Sequence, residues 1–375
     1  MTPPSARPLA SAGSPAASPL PPELAAWLAE HAESLDHGTF DSDALLPVLG
    51  QAGLFGIGVP VAQGGAGGDV RDAVEAIAAV AEQSLTAAFV FWGQRAFIEY
   101  LLQSPNQALA ARWLKPLLAA QQAGATGLSN AMKFLSGIES LQIEACPQAD
   151  CWRLNGVLQW VTNLRKTGFI VAAAVSRDDG QPPAIVALDS AWGGVVRSDD
   201  LDLVALRGSN TAALRIDGVA LSDDHVLHAD ARAFLPAVRP AFLGLQCGMS
   251  IGLARAALRS AADSGAARHG LGDEVAHLQD RLSDTVQALH EGLADGRFKT
   301  VAAPLFRLRI TLADIAQQAV EHELMASGGR AYLKNHGASF ARRWREAAFV
   351  PIVTPSLSQL RTELARHDAA QGLAA

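Results

Sequence analysis

The hydrophobic spacing of this 375-residue chain changes period twice, and that change restricts its fold more than any single motif. Residues 22 to about 122 place apolar side chains three and four apart, over 23–32, 40–52, 72–82, 85–102 and 105–119, which predicts helices. Asp41 or Ser42, and Asp69, stand where helix N-caps are expected. From 125 to about 226 the chain turns to short β-rich runs at 140–145, 152–154, 169–176, 184–187, 193–197 and 212–219. Asp178-Asp179-Gly180 and Ser222-Asp223-Asp224 punctuate them as turns. From Asp230 onward, helical spacing returns over 236–264, 273–292, 302–327 and 355–370. A β-domain inserted between two helical ones follows, an α+β multidomain fold.

Within the β region, residues 153–163 read RLNGVLQWVTN. Asn155-Gly156 is a hairpin-turn signal. Trp160 and Thr162 sit two apart on the following strand, so one face presents a flat apolar surface beside a hydroxyl. Taken alone, the pair fits a core tryptophan beside an exposed threonine; it also suits a planar heteroaromatic ring with polar edges, a flavin above all. The glycine-rich run from Gly56 to Gly68 lacks the Lys-Ser/Thr and the βαβ setting of a phosphate cradle. It is read as a turn that lets helices approach closely.

The net charge of −7, with no basic stripe, argues against nucleic acid. No run of about 18 uncharged apolar residues predicts a membrane span. Cys146, Cys151 and Cys247 are too few for a disulfide framework and lack metal-ligand spacing, so they are read as reduced cytosolic thiols and no metal is expected. The Pro/Ala/Ser-rich start lacks the plan of a signal peptide. The expected division is a disordered extension over 1–20, a helical domain over 21–122, a β-domain over 123–229 and a helical bundle over 230–375.

Four motifs in order resemble the acyl-CoA dehydrogenase family: Gly58-Val59-Pro60 with Gly64-Gly65-Ala66-Gly67; Leu154-Asn155-Gly156 through Trp160-Val161-Thr162-Asn163; Leu206-Arg207-Gly208-Ser209-Asn210-Thr211 with Ile216-Asp217-Gly218-Val219; and Gly328-Gly329 with Arg345-Glu346-Ala347. The resemblance implies an N-terminal helical domain, a middle β-barrel and a C-terminal four-helix bundle. It also implies FAD held between subunits of a homodimer or homotetramer, an acyl-CoA or similar thioester substrate, and a flavoprotein electron acceptor or oxygen. Under it, Trp160 lies against the flavin and Thr162 bonds near its reactive nitrogen. Ser129, Asn130 and Ser356 join the cofactor ligands, and Arg268, Gly328 and Gly329 reach the cofactor across a subunit interface. Ser136 and Arg95 are the expected substrate contacts. Lys133 is either a neighbour of the flavin's pyrimidine edge or a solvated lysine. Arg342-Arg343-Trp344-Arg345 is either a phosphate site or a salt-bridge patch.

The main departure from the family is chemical. Its glutamate base takes an α-proton from the thioester while hydride passes to flavin. Counting from Arg345-Glu346-Ala347, that position holds Thr354, whose hydroxyl is not ionised near neutral pH. The alternative position, on the helix opening the C-terminal domain, falls near Phe242. Glu99 is the remaining candidate base, although it stands four residues from Arg95, at ion-pair spacing. Three readings result: α,β-dehydrogenation of an unusual acyl thioester with a relocated or weak base; a reduced-flavin-dependent monooxygenase on the same fold; and a non-catalytic family member.

Overall fold

Local capping starts the N-terminal helices where the sequence places them. The computed structural model describes residues 20–148, 151–264, 270–335 and 337–372. Helices α1 (Pro22–His37), α2 (Ser42–Gln51), α3 (Val70–Ala81), α4 (Leu85–Gln103) and α5 (Gln107–Leu118) form a helical domain. The Asp41 carboxylate accepts from the amide of Asp43 at 3.1 Å. At α3 a capping box closes: Asp69 accepts from the Arg71 amide, and Asp72 accepts from the Asp69 amide, both at 2.8 Å. Most of α4 is buried, including Arg95. The Arg95 guanidinium donates to the carbonyls of Ile57 and Gly58, which tie down the glycine-rich loop. That loop folds back on itself through amide–carbonyl bonds between Gly58 and Gly67 and between Gly67 and Val59.

The middle domain is an eight-stranded sheet: β1 (Ala123–Thr126), β2 (Ile143–Pro147), β3 (Trp152–Val161), β4 (Phe169–Arg177), β5 (Ala184–Asp189), β6 (Val195–Asp200), β7 (Ala212–Leu221) and β8 (Val226–His228). Strand order is β6-β7-β3-β2-β4-β5-β8, with β1 added to β4. Asn155-Gly156 is not a turn. β3 runs straight through it, paired with Ile143 and Glu144 of β2, and the chain reverses ahead of Trp152 instead. Gly156 serves close approach there: a Cβ on it would lie 2.1 Å from the Gln142 carbonyl oxygen. β1 and β8 are short, and both escaped the sequence pattern.

The C-terminal helices are α7 (Ala231–Asp263), α8 (Gly272–Ala294), α9 (Arg297–Thr300), α10 (Ala303–Ser327), α11 (Ala338–Phe349) and α12 (Leu357–Ala370), with a short α6 (Ser129–Leu135) between β1 and β2. The 33-residue α7 is long and apolar enough to cross a membrane, but 94% of its apolar window is buried inside the protein. It packs on α10 and α3. Gly252 makes the α3 contact feasible, since a Cβ there would stand 2.1 Å from the Ala78 carbonyl oxygen. The arginines of α11 are neutralised within the chain. Arg342 pairs with Glu346 at 2.9 Å and with Glu33 at 3.1 Å, Arg343 with Glu323, and Arg345 with Asp36 at 2.6 Å. The phosphate reading of this run therefore has no free cation behind it. Residues 1–19, Arg268 and His336 lie outside the described residues.

Candidate functional site

A cavity of about 370 Å³ opens where the sheet, α4, α6, α7 and the α11–α12 connection meet. Its position follows from local backbone. At the end of β3 the register against β7 shifts between Leu158 and Val161, a bulge that puts Trp160 at φ +59°. The indole is 65% exposed and lines the cavity. Thr162 follows the strand and is buried, yet lines the same cavity. The two meet through the bulge and not through simple strand alternation.

The hydroxyls of the cavity have defined roles. Thr162 Oγ1 donates to the Ser209 carbonyl at 3.1 Å and accepts from Thr211 Oγ1 at 3.2 Å. Its single hydrogen is spent, which leaves one lone pair toward the cavity. Ser129 Oγ donates to Thr354 Oγ1 at 2.9 Å, so the hydrogen of Thr354 remains for a ligand. Thr126 Oγ1 bonds the Tyr100 hydroxyl at 2.9 Å, and burial pushes the Tyr100 phenol well above its usual range. Gln246 donates to the Thr354 carbonyl at 3.0 Å and accepts from buried Arg309 at 2.8 Å, which fixes the connection from behind. Ser356 caps α12, accepting from the Gln359 amide, and also lines the cavity. Lys133 lines it as well, paired with Glu139 at 2.7 Å; that hydrogen bond holds the Glu139 carboxyl below the usual carboxylate range.

Ser129, Lys133, Trp160, Thr162, Thr354 and Ser356 thus gather around one space, and Arg95, Glu99, Asn130, Ser136, Gly328 and Gly329 do not. Arg95 is a structural residue: its donors go to Ile57, Gly58 and Glu99, and none faces the cavity. Glu99 is held by Arg95 at 2.9 Å and by Gln103 at 2.6 Å, away from the cavity lining. Asn130 braces the following loop, donating to the Ser140 carbonyl and accepting from the Gln142 amide. Ser136 binds α12 through Glu363 and Gln359. Gly328 and Gly329 lie at the end of α10, outside the lining residues. Phe89, Trp92, Thr126, Phe349, Ile352 and Val353 line the cavity without having been singled out in the sequence. Apolar residues on a helix buried all round carry no signal that separates wall from core.

Thr354 and Phe242, the two positions at which the resemblance expects a glutamate, both line this cavity. Among its described lining residues none is Asp, Glu or His. The N-terminal domain model of the acyl-CoA dehydrogenases matches residues 23–121. A probable acyl-CoA dehydrogenase of Bacillus subtilis, YngJ, is 25% identical over 370 residues, covering 91% of this chain and 93% of its own. The chain is similar to the acyl-CoA dehydrogenases over nearly its whole length, and its N-terminal helical domain matches their family model. The glutaryl-CoA dehydrogenase complex with glutaryl-CoA superposes with a TM-score of 0.79 at 18% identity, covering 94% of each chain. KijD3, solved with FMN and a dTDP-linked 3-amino-4-keto sugar, gives 0.77 at 21%, covering 94% of this chain and 92% of its own. The acyl-CoA dehydrogenase fold therefore spans nearly the whole chain.

Proposed function

We propose that this protein is a flavin-dependent oxidoreductase that uses reduced flavin and molecular oxygen on a substrate in the cavity. The observation that carries this reading is the absence of any carboxylate or imidazole among the described lining residues. Removal of an α-proton needs a positioned base, typically worth about 10²–10⁴ in rate. Two carboxylates considered as substitutes are already engaged, Glu99 by Arg95 and Glu346 by Arg342. A bound reduced flavin supplies two electrons to O₂, so that one oxygen atom enters the substrate and the other leaves as water.

The residues present fit a flavin ring. An exposed indole is held in a left-handed backbone conformation that costs about 1–2 kcal/mol. Such outliers cluster at ligand clamps. Trp160 would stack on the ring, and Ser129 and Ser356 would border it. Thr162, its own hydrogen spent, offers an acceptor, which suits the ring N–H of a reduced flavin better than the bare nitrogen of an oxidised one. The Thr354 hydroxyl offers a donor. The ring wall of α4, α7 and α11 would keep water from a bound ring.

We take the cofactor to be FAD and the assembly a homodimer or homotetramer. Gly328 and Gly329 stand apart from the cavity beside exposed Met325, Tyr332 and Leu333, so they can serve a dinucleotide only in a neighbouring copy. The second reading, dehydrogenation of an acyl thioester with a flavoprotein acceptor, draws on the names of the curated relatives. Isotope labelling separates the two. Photoreduced, flavin-loaded protein exposed to ¹⁸O₂ with substrate should yield product carrying one ¹⁸O. Unsaturated product free of ¹⁸O would overturn the proposal.

A further inference from the structure

Resting on the flavin reading, we infer that the inner end of the cavity binds a neutral, planar aromatic substrate. Four rings form that wall, Phe89 and Trp92 from α4, Phe242 from α7 and Phe349 from α11. They already interlock by ring geometry. Phe89 stacks on Trp92 with centroids 5.6 Å apart and planes 10° from parallel. Phe349 meets Phe89 edge-on at 4.7 Å, and Phe242 tilts against Trp92 at 5.1 Å. Such a wall offers a guest faces and edges together, the two arrangements aromatic pairs prefer.

The wall is also without free polarity. Trp92 donates its indole N–H to the Phe242 carbonyl at 3.4 Å, so no ring-borne donor is left for a carboxylate or phosphate. The single cation of the lining, Lys133, is held by Glu139. A charged group moved into this end would lose its hydration with no partner in return. A flexible alkyl chain would find contact area but none of the ring-to-ring preference. The Thr354 hydroxyl, which accepts from Ser129 and so keeps its own hydrogen, marks one edge for a polar substituent.

The test uses the full-length, flavin-loaded protein and three probes of matched size: naphthalene-2-methanol, its fully saturated decalin analogue, and 2-naphthoate. Binding is read from perturbation of the flavin absorbance and from calorimetry. Ring-to-ring contacts add affinity beyond the area they bury. Naphthalene-2-methanol should therefore bind about tenfold tighter than the decalin analogue, and tighter than the anion by at least as much. Replacing a ring by a similar volume without a π-face, as in Phe349→Leu, should cut the aromatic-over-saturated ratio several-fold. Equal affinity for the aromatic and saturated probes in the wild type, or preference for the anion, would overturn the inference even if the flavin is bound. Failure to bind flavin at all would instead reject the functional reading beneath it.

Discussion

Replacement of Trp160 separates a flavin-clamping role from a packing role. Its indole is 65% exposed and its backbone lies at φ +59°. Removing an exposed side chain changes fold stability by no more than about 0.5 kcal/mol. Trp160→Ala keeps the left-handed backbone and should leave stability within that margin. Trp160→Gly also relieves about 1–2 kcal/mol of backbone strain. The greater freedom of the unfolded chain offsets about 0.4–1 kcal/mol of that gain. The glycine variant should therefore be as stable as wild type or up to about 1.5 kcal/mol more stable. Loss of a stacking partner costs a bound planar ring about 1–3 kcal/mol. That corresponds to roughly 5- to 150-fold in the flavin dissociation constant. Flavin fluorescence quenching gives the affinity, and urea denaturation of the apoprotein gives the stability. Undiminished flavin affinity in both variants would refute the clamp. A stability loss of about 3–5 kcal/mol, as for a core tryptophan, would refute the exposed placement.

Other changes test the scaffold. Arg95→Met removes the guanidinium bonds to Ile57, Gly58 and Glu99, leaves Glu99 with Gln103 alone, and should cost about 3–5 kcal/mol in urea denaturation. A loss below 1 kcal/mol would mean that Arg95 does not anchor the glycine loop. Gly252→Ala forces a methyl toward the Ala78 carbonyl oxygen and should destabilise by about 1–3 kcal/mol, read from the thermal midpoint. His225 is held below the usual histidine range by burial, with Arg112 adding to it. The fold thus favours the neutral ring, whereas the unfolded chain takes up a proton near pH 6.5. This contribution is present above that pH and is lost as pH falls below it. The urea midpoint should drop between pH 7.5 and 5.5, and less so in His225→Gln. An equal drop in the variant would assign the effect to other groups.

The fold was legible because its signals are local. Asp41 and Asp69 announce helix starts by side-chain chemistry that acts within three residues, and both cap as read. The change from helical to β spacing needs no knowledge of contacts. Asn155-Gly156 misled because the same dipeptide suits a tight turn and a glycine forced by a crossing backbone, and only the Gln142 carbonyl decides between them. β1 reads Ala-Gly-Ala-Thr and has too little β-branched character to register as a strand.

The site was legible in part for the same reason. Trp160, Thr162 and Thr354 come from ordered motifs that a resemblance can align. The fate of Arg95 was open, since its partners at Ile57 and Gly58 lie 38 and 37 positions back along the chain. The spent hydrogen of Thr162 depends on Ser209, which is 47 positions away. The aromatic wall joins Trp92 to Phe242 across 150 positions, a juxtaposition that no sequence periodicity records.

The central claim is that the described lining of the cavity holds no carboxylate or imidazole to accept a proton in acyl thioester chemistry. Anaerobic stopped-flow mixing of the flavin-loaded protein with a panel of short, long, branched and aryl-substituted acyl-CoAs reads it directly through the oxidised flavin absorbance. The account predicts no bleaching within seconds at pH 7–8 for any member of the panel, while the same protein reduced with dithionite reoxidises on admission of air. Rapid, stoichiometric bleaching of the wild type by any acyl-CoA would contradict it.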